Sequence, residues 1–159
     1  MKQIILFSSI VLAGGLLLSN VYTSIIDARS WGSNIPESIA TARQYFKTVN
    51  PGNFFRIFSP LNQALAIICV IVFWKTSPAI RLHLIIAMVF YMAAEGMTFM
   101  YFYPRNAIMF QTASLTDVDL LRKTWSEWNS MNWVRSILLL CGIVFSCMAL
   151  HKWYVLRFK

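Results

Sequence analysis

The chain has 159 residues, of which 58% are hydrophobic and only 13% charged. Soluble domains carry about 25% charged residues, and a soluble chain of this size cannot hide so much apolar surface behind a polar exterior; an ordinary soluble enzyme and a disordered chain are both excluded. The formal net charge of +8 comes from 14 Lys and Arg against 6 Asp and Glu, but these cations flank apolar runs and form no basic helix, so nucleic acid is not the expected partner. The lipid bilayer is.

The first apolar run covers residues 4–22 behind Lys2. It has the basic start and aliphatic core of a signal peptide, yet Leu18-Ser19-Asn20-Val21-Tyr22 provides no clean small-x-small cleavage site, so it reads as a retained transmembrane helix. The loop that follows contains an amphipathic stretch from Pro36 to Val49. Ile39, Ala42, Phe46 and Val49 share one helical face there, and Glu37, Arg43 and Lys47 lie elsewhere, as expected for a helix on the outer membrane surface or capping the bundle.

A second span ends at Trp74-Lys75. Starting it at Pro60 leaves roughly 16 residues, or about 24 Å, too short for a hydrocarbon core of about 30 Å. Starting it at Pro51, with Asn50 as N-cap, gives span 51–75 with Pro60 inside the helix. The third span, 80–103, stops at Pro104 behind an aromatic end, Phe99 to Tyr103. The fourth covers 133–156, and Thr116-Asp117-Val118-Asp119 reads as a much earlier helix start, because Leu121, Trp125, Trp128 and Asn132 follow at helical spacing. The fold class is therefore an all-α integral membrane protein, a four-transmembrane-helix bundle with an amphipathic helix in the first long loop, and residues 1–159 form a single membrane domain.

Orientation follows from the short segments. Lys2, Lys75, Arg81, Lys152, Arg157 and Lys159 lie at the N-terminus, the turn between spans two and three, and the C-terminal tail, with no acid among them. The positive-inside rule then puts both termini in the cytoplasm.

Several polar residues stand where lipid does not tolerate them. Glu95, in Met92-Ala93-Ala94-Glu95-Gly96-Met97, costs several kcal/mol at that depth unless paired or protonated, and its small neighbours allow close helix packing. It reads either as a buried structural anchor or as a proton-transfer group. Arg135 is its expected partner and shares a helix face with Asn132 and Trp128. With Asn20, Asn62, Gln63, Tyr91 and Tyr22, these residues cluster in one leaflet, which implies a pocket for a lipophilic small molecule opening toward the outer side. Amides also bridge transmembrane helices routinely, so a purely structural network is the competing reading. No metal site is expected: Cys69, Cys141 and Cys147 lie in apolar runs without a CxxC pattern, and His83 and His151, which would have to face each other to ligate haem, read as interfacial residues.

The opening of the fourth span, Trp128-Asn129-Ser130-Met131-Asn132-Trp133-Val134-Arg135, resembles the Trp-Asn-x-x-Asn-x-x-Arg opening of the last helix in the anthrone oxygenase-like family of small bacterial and fungal membrane proteins. The layout is similar too: a first span, a long loop ending in Asn50-Pro51 and an aromatic pair, a second span and a short basic turn. The resemblance implies oxidation of polycyclic anthrones by dioxygen with no cofactor. In that chemistry Glu95 would be the base, with Arg135 and Asn132 stabilising the anion, and Asn20, Asn62, Gln63, Tyr91 and Trp128 would line the ligand site. A bacterial inner membrane is the expected location. The alternative is a non-catalytic subunit or assembly factor whose Met- and aromatic-rich faces pack on a partner membrane subunit or a second copy.

Overall fold

A computed structural model describes residues 2–111 and 117–157; Thr116 and Lys159 lie outside the described residues. Seven α-helices are interrupted by two π-helical turns. They are α1 (Lys2–Tyr22), a π-turn (Thr23–Asp27), α2 (Ala28–Trp31), α3 (Glu37–Tyr45), α4 (Pro51–Val72), α5 (Pro78–Met97), a second π-turn (Thr98–Phe102), α6 (Tyr103–Phe110) and α7 (Val118–Arg157). Four continuous helical stretches, Lys2–Trp31, Pro51–Val72, Pro78–Phe110 and Val118–Arg157, are long and apolar enough to cross a membrane. The protein is an integral membrane four-helix bundle.

The long helices form a ring. α7 packs on α5 and α1, and α4 closes the circle by packing on α1 and α5. Lys2 lies over the rings of both Phe73 and Trp153, so the N-terminus, the turn after α4 and the end of α7 share one end of the bundle. Leu6, Phe73, Ile80, Leu84 and Ala149 fill the interior there, each at most 3% exposed. Midway, Tyr91 bonds Ser146 Oγ at 3.1 Å and lies so close to α7 that a Cβ on Gly142 would fall 2.3 Å from its ring. Glycine is what permits that approach.

Helix ends follow local chemistry. Asn50 and Asn53 form a reciprocal capping box at the start of α4, with Pro51 just inside. The Asp117 carboxylate accepts the Leu120 N–H at 2.9 Å, and α7 then continues for 40 residues, or about 60 Å, twice the hydrocarbon thickness of about 30 Å. Pro60 sits inside α4 and leaves the Arg56 carbonyl without its usual donor.

The stop expected at Pro104 does not occur. The π-turn shifts the hydrogen-bond pattern so that the Tyr103 N–H donates to Thr98 O. Pro104 then falls in the first turn of α6, where its missing N–H is harmless. The chain continues as helix to Phe110.

The amphipathic segment is shorter than its pattern suggests. α3 ends at Tyr45, and Val49 is exposed. Ile39 and Ala42 are buried with Trp31, Phe102, Met109, Leu121 and Trp128 in a cluster that roofs the end away from the termini. Trp125 donates to Ala28 O at 2.6 Å and ties α7 to this roof.

Candidate functional site

The roofed end is hollow. A cavity of about 890 Å³ lies between the first half of α4, the second π-turn with its flanking helices, the α3 roof and α7. Its walls include Trp31, Phe55, Phe99, Phe102, Phe110 and Trp128, and its charged lining consists of Glu95, Arg135, Arg43, Lys47 and Arg56. It reaches the surface at Lys47, Arg56, Phe99 and Tyr103, all exposed. A second depression, of about 390 Å³, lies at the terminal end beside Lys2, Gln3, Trp153, Leu156 and Arg157 and touches none of the candidate residues.

Arg135 is 7% exposed, and its environment explains how a guanidinium sits at this depth. Its Nη2 donates to Asn20 Oδ1 at 2.8 Å and to Asn132 Oδ1 at 2.5 Å, and its Nη1 donates to Thr98 Oγ1 at 3.4 Å. The Phe102 ring lies 4.2 Å from the guanidinium carbon and the Phe55 ring 5.4 Å away, so two π faces supply part of what water would. Its Nε is buried without a partner.

Glu95 is half-buried. It lies beside the Ser59 side chain and within electrostatic reach of Arg135. The ion pair expected between Glu95 and Arg135 is not formed. Among the described residues the only pairs within 4.0 Å are Arg105–Glu127 and Arg122–Asp119. The physical reason is competition: the neutral oxygens of Asn20, Asn132 and Thr98 hold the guanidinium, so the carboxylate stays directed to the cavity it lines.

The remaining expected residues separate into layers. Trp128 lines the large cavity and fixes its indole by donating to Asn106 Oδ1 at 2.8 Å. Asn20, Asn62, Gln63 and Tyr91 line instead a small deeper space of about 20 Å³, which shares Phe55, Ser59, Glu95, Thr98 and Arg135 with the large one. That is room for about one water. Both amide atoms of Asn62 and the Gln63 Oε1 are buried there without partners, while Gln63 Nε2 donates to Tyr91 O at 3.0 Å. Asn132 lines neither space. Its Nδ2 donates to Asn20 O and Ser24 Oγ and its Oδ1 accepts from Arg135, so its side chain joins α7 to α1 and to Arg135 behind the cavity wall. Tyr22, also expected in the cluster, is 58% exposed.

The sequence reading missed Arg43, Lys47, Arg56, Ser59, Thr98 and Asn106. Arg43 donates from Nε to Met109 O at 2.7 Å and from Nη2 to Ile108 O at 3.3 Å, fastening α3 across the last carbonyls of α6, and burial draws its pKa below the ordinary arginine value. The i,i+4 spacing of Arg43 and Lys47 was the available signal. His83 engages Ala79 O in its own helix and rests against Phe145, and His151 is exposed. No group of three or more His, Cys, Asp or Glu that could hold a metal occurs among the described residues.

These features define a membrane-embedded helical bundle with one hollow, aromatic-walled end and a held arginine in its wall. Residues 53–145 match the anthrone oxygenase family; that is more than half of the chain, and the chain belongs to this family. No curated protein and no solved structure matches it.

Proposed function

We propose that the protein is a cofactor-independent oxygenase acting on a lipophilic polycyclic ketone with an acidic methylene, of which an anthrone is the simplest example. The observation that carries this reading is the placement of Glu95 and Arg135 in one wall of the aromatic-lined cavity without an ion pair between them. An unpaired carboxylate is available as a base, and a guanidinium held by neutral oxygens is available for an anion.

In the proposed reaction Glu95 accepts a proton from the methylene, and the electron pair of the broken C–H bond passes into the ring system as an enolate whose oxygen faces Arg135. The enolate carbon is oxidised by dioxygen, forming a C–O bond and a hydroperoxide after proton return. Loss of water leaves a carbonyl, so one CH₂ and one O₂ become one C=O and one H₂O. Trp128, Phe102 and Phe55 hold the ring body, and Asn20 and Asn132 hold Arg135. The cavity volume supports this reading over that of a non-catalytic subunit, which requires no hollow.

The finer placement in a bacterial inner membrane with both termini cytoplasmic rests on Lys2, Lys75, Arg81, Lys152 and Arg157 standing at the terminal end. A C-terminal reporter fusion active on the far side of the membrane would reverse it.

The test of the chemistry is purified protein in nanodiscs with a tricyclic anthrone, following quinone absorbance and oxygen uptake together. Glu95→Gln is expected to lower kcat by about 10²–10⁴-fold with little change in KM. Absence of turnover by the wild type, or equal turnover by the variant, would sink the proposal.

A further inference from the structure

Charge in the cavity is one-sided. Four cationic side chains, Arg43, Lys47, Arg56 and Arg135, line it against the single carboxylate of Glu95. Among the described residues, the one partly buried cation outside the cavity that is matched at this end is Arg105, which meets Glu127 at 2.7 Å. Lys47, Arg56 and Arg135 have no carboxylate within 4.0 Å among the described residues. Lys47 and Arg56 stand at the exposed mouth, whereas Arg135 lies deep. Asn50, Pro51 and Gly52 also line the cavity, so the positive end of the α4 dipole faces the same space. Like charges around an apolar-walled cleft raise each other's energy and focus a positive potential into it. One enolate beside Arg135 accounts for the deep cation and leaves the mouth uncompensated.

We propose that the ligand of this cavity carries a second, permanent anionic group, a carboxylate or a phosphate, which sits between Lys47 and Arg56 while its apolar ring body lies against Phe55, Phe102 and Trp128. The claim deepens the oxygenase reading by naming the substrate class, a polycyclic acid in place of a neutral polycycle, and it rests on the same cavity. The two charged regions divide the labour: the deep arginine meets charge that develops in the reaction, and the mouth meets charge the ligand brings with it. An anionic phospholipid headgroup has the same chemistry and is the other source of such a group.

The test uses a matched pair of probes, pyrenebutyrate and its neutral primary amide, titrated against the full chain in phosphatidylcholine nanodiscs, with empty nanodiscs subtracted. The acid is expected to bind about tenfold more tightly than the amide, the ratio falling toward one in Lys47→Gln/Arg56→Gln and in roughly 0.5 M salt. Equal affinities, a ratio that survives both the double variant and salt, or no binding of either probe would overturn the proposal. In phosphatidylglycerol nanodiscs, loss of the acid's advantage, with phosphatidylglycerol retained by the wild type and not by the double variant, would support the anion site and assign it to lipid. Anthrone turnover is scored separately. Turnover with equal probe affinities removes only the anion claim, and acid preference without turnover removes only the oxygenase.

Discussion

At the terminal end of the bundle, Leu6, Phe73, Ile80, Leu84 and Ala149 fill the interior, and the helices there are uninterrupted α-helix. At the opposite end the same four-helix ring holds a cavity of about 890 Å³, and every backbone irregularity of the long helices is on that side: the π-turns at Thr23–Asp27 and Thr98–Phe102, and Pro60 inside α4. The packed end is filled by aliphatic and aromatic side chains and the hollow end is lined by one carboxylate and four cations. The helices also differ in whether they keep their period. A regular helix presents one continuous stripe to its neighbours and packs solid. A helix that loses register or a hydrogen bond leaves room, and here that room is lined by Glu95, Arg135 and three further cations.

The sharpest way to break this contrast is Arg135→Met. The change removes the donor to Asn20 Oδ1 and Asn132 Oδ1, and with each orphaned buried acceptor costing about 1–3 kcal/mol, about 3 kcal/mol of stability should go together with nearly all turnover. Thermal unfolding in nanodiscs beside the anthrone assay checks both, and unchanged turnover would show that the hollow end does not use its arginine. Next is Leu6→Ala, at 0% exposure in the packed end. It should cost about 2–5 kcal/mol of stability and leave kcat alone at temperatures where the protein stays folded. A parallel fall in kcat would mean that the ends are mechanically one unit. The smallest effect is expected from Asn62→Leu, which removes two unpartnered buried atoms and should shift stability by less than about 1 kcal/mol, in the stabilising direction. A clear fall in melting temperature would instead show the amide bonded through an ordered water, extending the polar frontier one layer deeper.

Much of this is legible in the sequence itself. The spans are, because 18 or more nearly uncharged apolar residues have few other uses. So are the start of α4 at Asn50-Pro51 and the early start of α7 near Asp117, since caps act through local geometry. The stop assigned to Pro104 failed because proline breaks an α-helix by lacking an N–H and crowding the carbonyl four residues back, and the π-turn ending two residues upstream shifts that pattern. Helical period brought Arg135, Asn132 and Trp128 together on one face. It does not say which partner an arginine takes when amides and a carboxylate are both in reach, and the amides took it. Lys47 and Arg56 were missed for another reason. They come from different elements, and only the fold of α3 over the start of α4 brings them to one mouth.

The π-turn between α5 and α6 has a consequence for how such a protein can change. An extra residue in one turn rotates everything beyond it by about 100° about the helix axis. Phe102, Tyr103 and Asn106 therefore owe their places in the cavity wall to a phase offset and not to their own spacing from Tyr91 or Leu84. Excising Met100, which does not line the cavity, would restore the period and swing Tyr103 and Asn106 away from it with every lining side chain still in the sequence. Single-residue insertions and deletions at this point are thus a dial on pocket shape that substitutions cannot reproduce, and one that leaves the packed half of the bundle unturned.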